Sequence, residues 1–394
     1  MSKLIGKCLI VSTGQGGYNI GKKIKEESVI TGKIEFKQLG VYSSETDIKD
    51  TSSLDKAITL ATDGVDGCGG DRELSKELYG DSSAKGTIVQ YVSEEDPAMV
   101  FITVAMSGGT GSGCAKLIAK DIAEEFEHIP VYIIAAAPEV SLDYEDVRGL
   151  GNAVDFTNEV VLEVEGDDSF VGVGICRTNL IGTHSVSSGY IASNDSIAKN
   201  LVMTLSNIQD ASEYEFGSID KADLYDRILL QMGAIGFIHS DVIGTDEAGK
   251  IAEDVLEAMV VNNRCFMLEA EKKRPNILVA ARVKEENQHT IKAASNRLGD
   301  YLGSGITTRT IFSIPEDGAK ESISILVTGA AVPTNWLNSV STLISKSKQK
   351  IVDTSNRSES VAKVAQSSAF VSELGGTRKR TKKKTVATLV GQNS

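Results

Sequence analysis

The strongest chemical signal in this chain is a seven-residue loop, Ser107-Gly108-Gly109-Thr110-Gly111-Ser112-Gly113, set between an apolar run and a helical pattern. Glycines let the backbone approach an anion closely, and N–H groups at a helix start carry positive partial charge. With hydroxyls from Thr110 and Ser112 added, the loop reads as an anion cradle. A second glycine loop, Gly14-Gln15-Gly16-Gly17, follows Cys8-Leu9-Ile10-Val11. Two familiar phosphate motifs fail here. Gly108 and Gly113 have P-loop spacing, but Cys114 and Ala115 stand where Lys and Ser/Thr are needed. A dinucleotide fingerprint begun at Gly14 and Gly16 would need a glycine where Asn19 stands. A ligand-free glycine turn is the bland alternative, and two such loops at the ends of core strands weigh against it. Asp220 and Asp223 are three residues apart, a spacing that serves either water activation or simple helix capping.

Strands and helices must hold these loops in place. Cys8–Val11, Met99–Met106 and Val131–Ala135 read as buried strands, and Cys114, Ile118, Ile122 and Phe126 form one helical stripe. A helix is also expected from about Asn19 to Glu27. Strand, glycine loop and helix, repeated, predict an α/β parallel-sheet domain that binds nucleotide. A long central helix over about 188–209 separates it from a smaller α/β half. That half has helices near 220–232 and 246–261 and strands over 277–283, 308–314 and 322–329. Past Pro333, the residues Trp336, Leu337, Val340, Leu343, Ile344 and Ile351 predict a long helix with one apolar stripe, ended by Gly375-Gly376. The divisions expected are 1–187, 188–210, 211–332, 333–374 and a basic tail, 375–394.

The chain has 394 residues, 41% hydrophobic and 24% charged, with a net charge of −13. At ~150 residues per domain, that suggests two or three domains with a sizeable core. The composition argues against wholesale disorder, and the acidic balance against a body-wide nucleic-acid surface. The apolar stretches 99–106 and 129–138 fall short of the ~20 residues that span a bilayer. Five single cysteines and four scattered histidines suit neither a zinc site nor a disulfide framework, so a cytoplasmic location is expected. The tail dissents from the acidic average. Its cations Arg378, Lys379, Arg380, Lys382, Lys383 and Lys384 face one acid, Glu373, within the last 22 residues.

Ser107–Gly113 after a buried strand resembles the tubulin/FtsZ signature loop, and Gly14–Gly21 resembles the first nucleotide loop of that superfamily. Gly67-Cys68-Gly69-Gly70-Asp71 is similar to the loop that meets the γ-phosphate, and Ala192-Ser193-Asn194-Asp195 to the start of the central helix, where the base lies. Pro138-Glu139 through Arg148 occupies the place of the ribose loop, and Arg177-Thr178-Asn179 that of a base-contacting Asn. Gly217–Asp223 resembles the synergy loop, Asn-x-Asp-x-x-Asp/Glu, with Ser218 standing for the usual Asn. The matches run in family order over roughly residues 5–330.

The resemblance implies a GTPase that assembles head-to-tail into filaments, with GTP or GDP and Mg2+ as its cofactors. It implies nucleotide contacts from Gln15, Gly16, Gly17, Asn19, Gly69, Gly70, Gly108, Gly109, Thr110, Gly111, Ser112, Glu139, Asn179, Asn194 and Asp195. Asp220 and Asp223 would act on the next subunit's nucleotide, Asp223 positioning the water and Asp220 as its metal- or nucleotide-side partner. No protein ligand to the metal is assigned. Within the superfamily, cell-division FtsZ, phage nucleus-positioning tubulins and TubZ compete. FtsZ typically ends in a disordered linker and a membrane-docking peptide, and the phage tubulins in an acidic tail. The extended terminal helix and basic tail resemble TubZ, whose tail engages a TubR-type adaptor on centromere DNA. The six tail cations would then be partner-binding residues, with no membrane role. A terminal basic run can also be a solubility tail or a nonspecific arm.

Overall fold

The computed structural model describes residues 4–49, 53–61, 65–138, 147–164, 172–177, 186–212, 219–231, 233–241, 275–302, 306–331, 342 and 344–346. The chain opens with β1 (Lys7–Thr13), α1 (Gly14–Thr31), β2 (Glu35–Tyr42), α2 (Glu45–Lys49) and β3 (Lys56–Thr59). It continues through α3 (Arg72–Asp81), α4 (Ala84–Glu95), β4 (Met99–Ala105), α5 (Thr110–Glu125), β5 (Val131–Ala137), α6 (Val147–Val164) and β6 (Gly172–Arg177). The central helix α7 spans Val186–Ser212. After it come the short α8 (Lys221–Leu224), a π-helical turn (Tyr225–Leu229), β7 (Gly233–Asp241), β8 (Asn276–Arg282), α9 (Glu285–Leu302), β9 (Thr307–Ser313) and β10 (Ser322–Ala330). Residues Met1–Ile344 form one compact unit and Ser345–Ser394 another, and every element named here belongs to the first.

The strands lie in the order β3-β2-β1-β4-β5-β6-β7-β10-β8-β9. All are parallel from β3 through β7, and β10 runs antiparallel between β7 and β8. β6 and β7 share only the pairs Gly172↔Gly233 and Val173↔Ala234. The expected class is therefore observed: a parallel sheet, a central helix, and a smaller α/β part.

Strand alternation sends neighbouring side chains to opposite faces, and helices cover both. Leu9 and Val11 of β1 pack with α3, α4, α5 and α6, whereas Cys8 and Ile10 pack with Ile20 and Ile24 of α1 and with α7. Leu201, Leu205 and Ile208 of α7 share that second core with Leu278 and Ala280 of β8, so one helix supports both parts of the sheet. Each of the buried Leu, Ile and Val side chains contributes roughly 1.5–3 kcal/mol by leaving water. Among the described residues, no helix is long and apolar enough to cross a membrane.

Both glycine-loop helices start earlier than the sequence reading had them: α1 at Gly14 rather than near Asn19, and α5 at Thr110 inside the supposed turn. Packing explains the shift. A Cβ at Gly17 would lie 2.2 Å from Thr103 O, and one at Gly111 2.6 Å from Thr13 O. These glycines are helix residues pressed against strand backbone. The segment read as a helix over 220–232 is four α residues and then a π turn closed by Leu230 N–H to Tyr225 O at 2.8 Å. The expected helices over 246–261 and 333–374 fall outside the described residues, apart from 342 and 344–346.

Candidate functional site

Adjacent strands β1 and β4 end together, with Thr13 opposite Val104, and deliver the two glycine loops side by side. Behind them runs a buried relay. Gln38 Nε2 donates to Ser12 Oγ at 2.9 Å, Ser12 meets Thr103 Oγ1 at 3.0 Å, and Thr103 Oγ1 donates to Gly17 O at 2.8 Å. The relay fixes the first turn of α1 to β4. Gln15 on that turn and Asn19 on the next stay exposed.

The loop preceding α3 makes the third wall. A Cβ at Gly109 would lie 2.7 Å from Asp71 N and from Cα and C of Gly70, so two loops touch backbone to backbone. Gly69 and Gly70 sit at φ +55° and +81°, where glycine is favoured. Ser43, just after β2, ties the walls together: its Oγ lies 2.6 Å from Thr110 Oγ1 and accepts from Cys68 N–H at 3.1 Å.

Neither α1 nor α5 has a side-chain cap at its N-terminus or an acid in its first turn. The first N–H groups of a helix lack intrahelical partners. Two such N-termini, with glycine at their starts, suit the phosphates of a nucleotide and Mg2+ bound to them. The hydroxyls expected in the cradle are used otherwise. Ser112 is fully buried and its Oγ donates to Gly108 O, while Thr110 Oγ1 is engaged by Ser43. Both side chains brace the loop, which leaves backbone N–H groups to face an anion.

Sequence reading missed the brace beneath these loops. Arg72, 5% exposed, donates to Ser112 O from Nε at 3.2 Å and from Nη2 at 2.9 Å, and pairs with Glu159 at 2.7 Å. Burial alone would raise the Glu159 carboxyl, but hydrogen bonds from Lys76 and Arg72 outweigh it and hold the group below its ordinary value. Asn152, also on α6, donates to carbonyls of both loops. These residues lie 40–87 positions from their partners, so no local pattern announces them.

On α7, Asn194 and Asp195 sit in the helix body rather than at its start, since the helix begins at Val186. Asp195 pairs with Lys23 of α1 at 3.1 Å, one turn beyond Asn19, which ties α7 to α1 at that point. Glu139, Asn179 and the tail residues Arg378, Lys379, Arg380, Lys382, Lys383 and Lys384 lie outside the described residues.

The two carboxylates occupy the other end of the sheet. A cavity of about 650 Å³ brings Lys221 and Tyr225 beside Gly6 and Lys7 before β1 and Pro97 and Ala98 before β4. The glycine loops leave the opposite ends of those strands. Seven strand residues at about 3.3 Å each put roughly 20 Å between the two sites. Asp220 is exposed, and its Oδ1 caps α8 by accepting from Asp223 N–H at 2.6 Å. Asp223 meets Arg309 of β9 at 2.6 Å and Arg227 at 3.3 Å. The hydrogen bond from Arg309 pulls the Asp223 carboxyl below its ordinary value, which favours its ionised form. Asp220 is the freer of the two to reach outward.

Residues 7–205 match the family described as Tubulin/FtsZ family, GTPase domain. The tubulin-like protein CetZ2 of Haloferax volcanii is 23% identical over 269 residues, 66% of this chain and 70% of that one. A solved GTPγS-bound protofilament of CetZ2 from the same organism superposes with a TM-score of 0.67 at 17% identity, covering 89% of this chain and 99% of that one. TubZ of Clostridium botulinum phage c-st superposes at 0.59 with 16% identity, covering 89% of this chain and 100% of that one.

Proposed function

The chain belongs to the tubulin/FtsZ family, and from that premise we propose that it is a GTPase whose subunits assemble head-to-tail and complete one another's active sites. The carrying observation is distance. The carboxylates lie roughly 20 Å of strand away from the glycine loops of their own subunit, beyond the opposite strand ends. A second copy stacked end to end would bring its Asp220 and Asp223 to a bound nucleotide. GTP, with Mg2+ on its phosphates, would lie on the N-termini of α1 and α5 against Gly16, Gly17, Gly69, Gly70 and Gly108–Ser112. The metal lowers the negative charge that repels an attacking water. Asp220, exposed at the surface, would accept the water's proton, with Asp223 paired to Arg309 beside it. This reverses the leaning taken with the resemblance, which gave the water to Asp223. The base would meet Asn19, Asn194 and Asp195, with Glu139 and Asn179 at its sugar and ring edges.

Light scattering with GTP and Mg2+, recorded alongside phosphate release, tests the reading. Both signals rising together is the expected result. Scattering without release would leave a nucleotide-stabilised scaffold, and neither signal a soluble nucleotide-binding regulator.

The cargo reading rests on the tail. Six cations against one acid, in a chain of net charge −13, supply an electrostatic handle. We assign it to a TubR-type adaptor on centromere DNA, which makes the filament a cytoplasmic segregation device of the TubZ kind. The divisions 1–187, 188–210, 211–332, 333–374 and 375–394 then serve as nucleotide domain, connecting helix, activation domain, terminal helix and cargo tail. Likeness to both CetZ2 and TubZ structures does not choose between groups; the tail is what favours TubZ. Truncation at Gly375 should leave GTPase activity and assembly intact and remove recruitment of an adaptor–DNA complex in pelleting assays. Recruitment through phosphate contacts should also weaken with salt, by a log–log slope of about −0.9 per phosphate. Equal recruitment by both forms would sink the cargo role. Loss of assembly on truncation would instead place the tail on the neighbouring subunit.

A further inference from the structure

An anion cradle fails if its carbonyl oxygens turn toward the ligand, because they would repel the phosphate their N–H groups attract. Something must therefore hold the carbonyls away. In this chain one side chain does so for both loops. Asn152 is 8% exposed, and its Nδ2 lies 3.0 Å from Gly70 O, 3.1 Å from Ser107 O and 3.2 Å from Gly108 O. A primary amide has two N–H donors and no competing charge, so it can serve three converging carbonyls by sharing. The loops it joins touch backbone to backbone at Gly109 and Gly70, with no side chain between them. Seven residues along α6, on the same helix face, Glu159 holds Arg72, whose guanidinium takes up Ser112 O in turn.

We infer that Asn152 is a positioning residue that couples the loop at 67–71 to the loop at 107–112, and so sets the preference for nucleoside triphosphate over diphosphate. The inference rests on the reading of these loops as a GTP site, with residues 67–71 nearest the γ-phosphate. Phosphates common to GTP and GDP lie against helix starts anchored by other bonds, including the Thr103 relay. Just beyond the loop at 67–71, α3 is tied to the signature loop by Arg72 on Ser112 O and Ser75 on Thr110 O, but residues 67–71 themselves meet that loop through bare backbone, the Ser43 bonds and Asn152. Losing Asn152 frees Gly70 O and lets that loop drift, which penalises the ligand bearing a γ-phosphate.

The test is competition binding of GTPγS and GDP, each with Mg2+, to the full chain and its Asn152→Ala and Asn152→Ser variants, with thermal melting of each protein. Asn152→Ala should lower GTPγS affinity about tenfold more than GDP affinity, the scale of lost buried hydrogen bonds. Asn152→Ser, which keeps one donor on a shorter arm, should fall between. Equal loss for both nucleotides, or no loss, overturns the coupling role. Failure of both variants to melt cooperatively makes Asn152 a folding residue and overturns it too. If the unsubstituted protein binds neither nucleotide, the GTP-site reading itself falls, a result distinct from the others.

Discussion

Gly109→Val should abolish GTP binding while the chain still folds. A Cβ at this position would stand 2.7 Å from three backbone atoms of Gly70 and Asp71, a separation that real Cβ atoms do not adopt. Valine adds two methyl groups to that clash, and backbone cannot swing aside as the end of a long side chain can. The two loops must part, which breaks the cradle at its centre. The sheet beneath is held by β1–β4 pairing and by both cores, none of which includes residue 109. GTP affinity should fall at least about a hundredfold, roughly 2.7 kcal/mol, as read by equilibrium binding, with cooperative melting retained. Unchanged affinity would remove the signature loop from the site.

The second large effect is loss of hydrolysis without loss of binding. Asp220→Ala and Asp223→Ala should each bind GTP as the parent does, because both residues sit beyond the far ends of β1 and β4. Turnover should drop by about a hundredfold to ten-thousandfold, the range for a group that moves a proton in the reaction. Filaments of these variants should persist, since release after hydrolysis is missing. Asp220→Ala also removes the cap on α8, typically about 1 kcal/mol, so its melting should be compared with the parent. Asp223→Ala strands Arg309 and Arg227 at the surface, where water replaces the carboxylate at little cost. Mixing Asp220→Ala with Gly109→Val gives a sharper result. Each variant keeps the half the other lacks, so a shared site predicts partial recovery of phosphate release in the mixture. Parental rates in both Asp variants would refute the assignment.

Much of this architecture was legible in the sequence because its core strands are near-continuous apolar runs. Cys8–Val11, Met99–Met106 and Val131–Ala135 could hardly be anything else, and glycine runs marked where two of them end. β2, with a Lys and a Gln among its apolar residues, gave no such signal, nor did the short β3. The polar helices α3 and α4 were also missed, although α3 carries Arg72. Capping misled at 220–232, where the Asp220 cap and apolar Leu224, Tyr225, Ile228 and Leu229 imitate a regular helix start while the chain widens into a π turn. Within the site, the loops could be read but their support could not. Ser43, Thr103, Arg72, Asn152 and Glu159 are single polar residues whose roles exist only when helices, strands and loops 25 to 91 positions apart meet. Thr110 and Ser112 were read as ligand donors on residue type, and the fold turns their hydroxyls inward.

Completion of the active site by a neighbour is tested most directly by phosphate release per subunit across a protein dilution series, with scattering recorded in the same cuvette. A site completed at the subunit interface predicts near-zero release below a critical concentration. Above it, release should rise in step with scattering. Constant release per subunit at every dilution, with no scattering at the lowest concentrations, would mean that a lone subunit hydrolyses GTP, and Asp220 and Asp223 would have no part in a shared site.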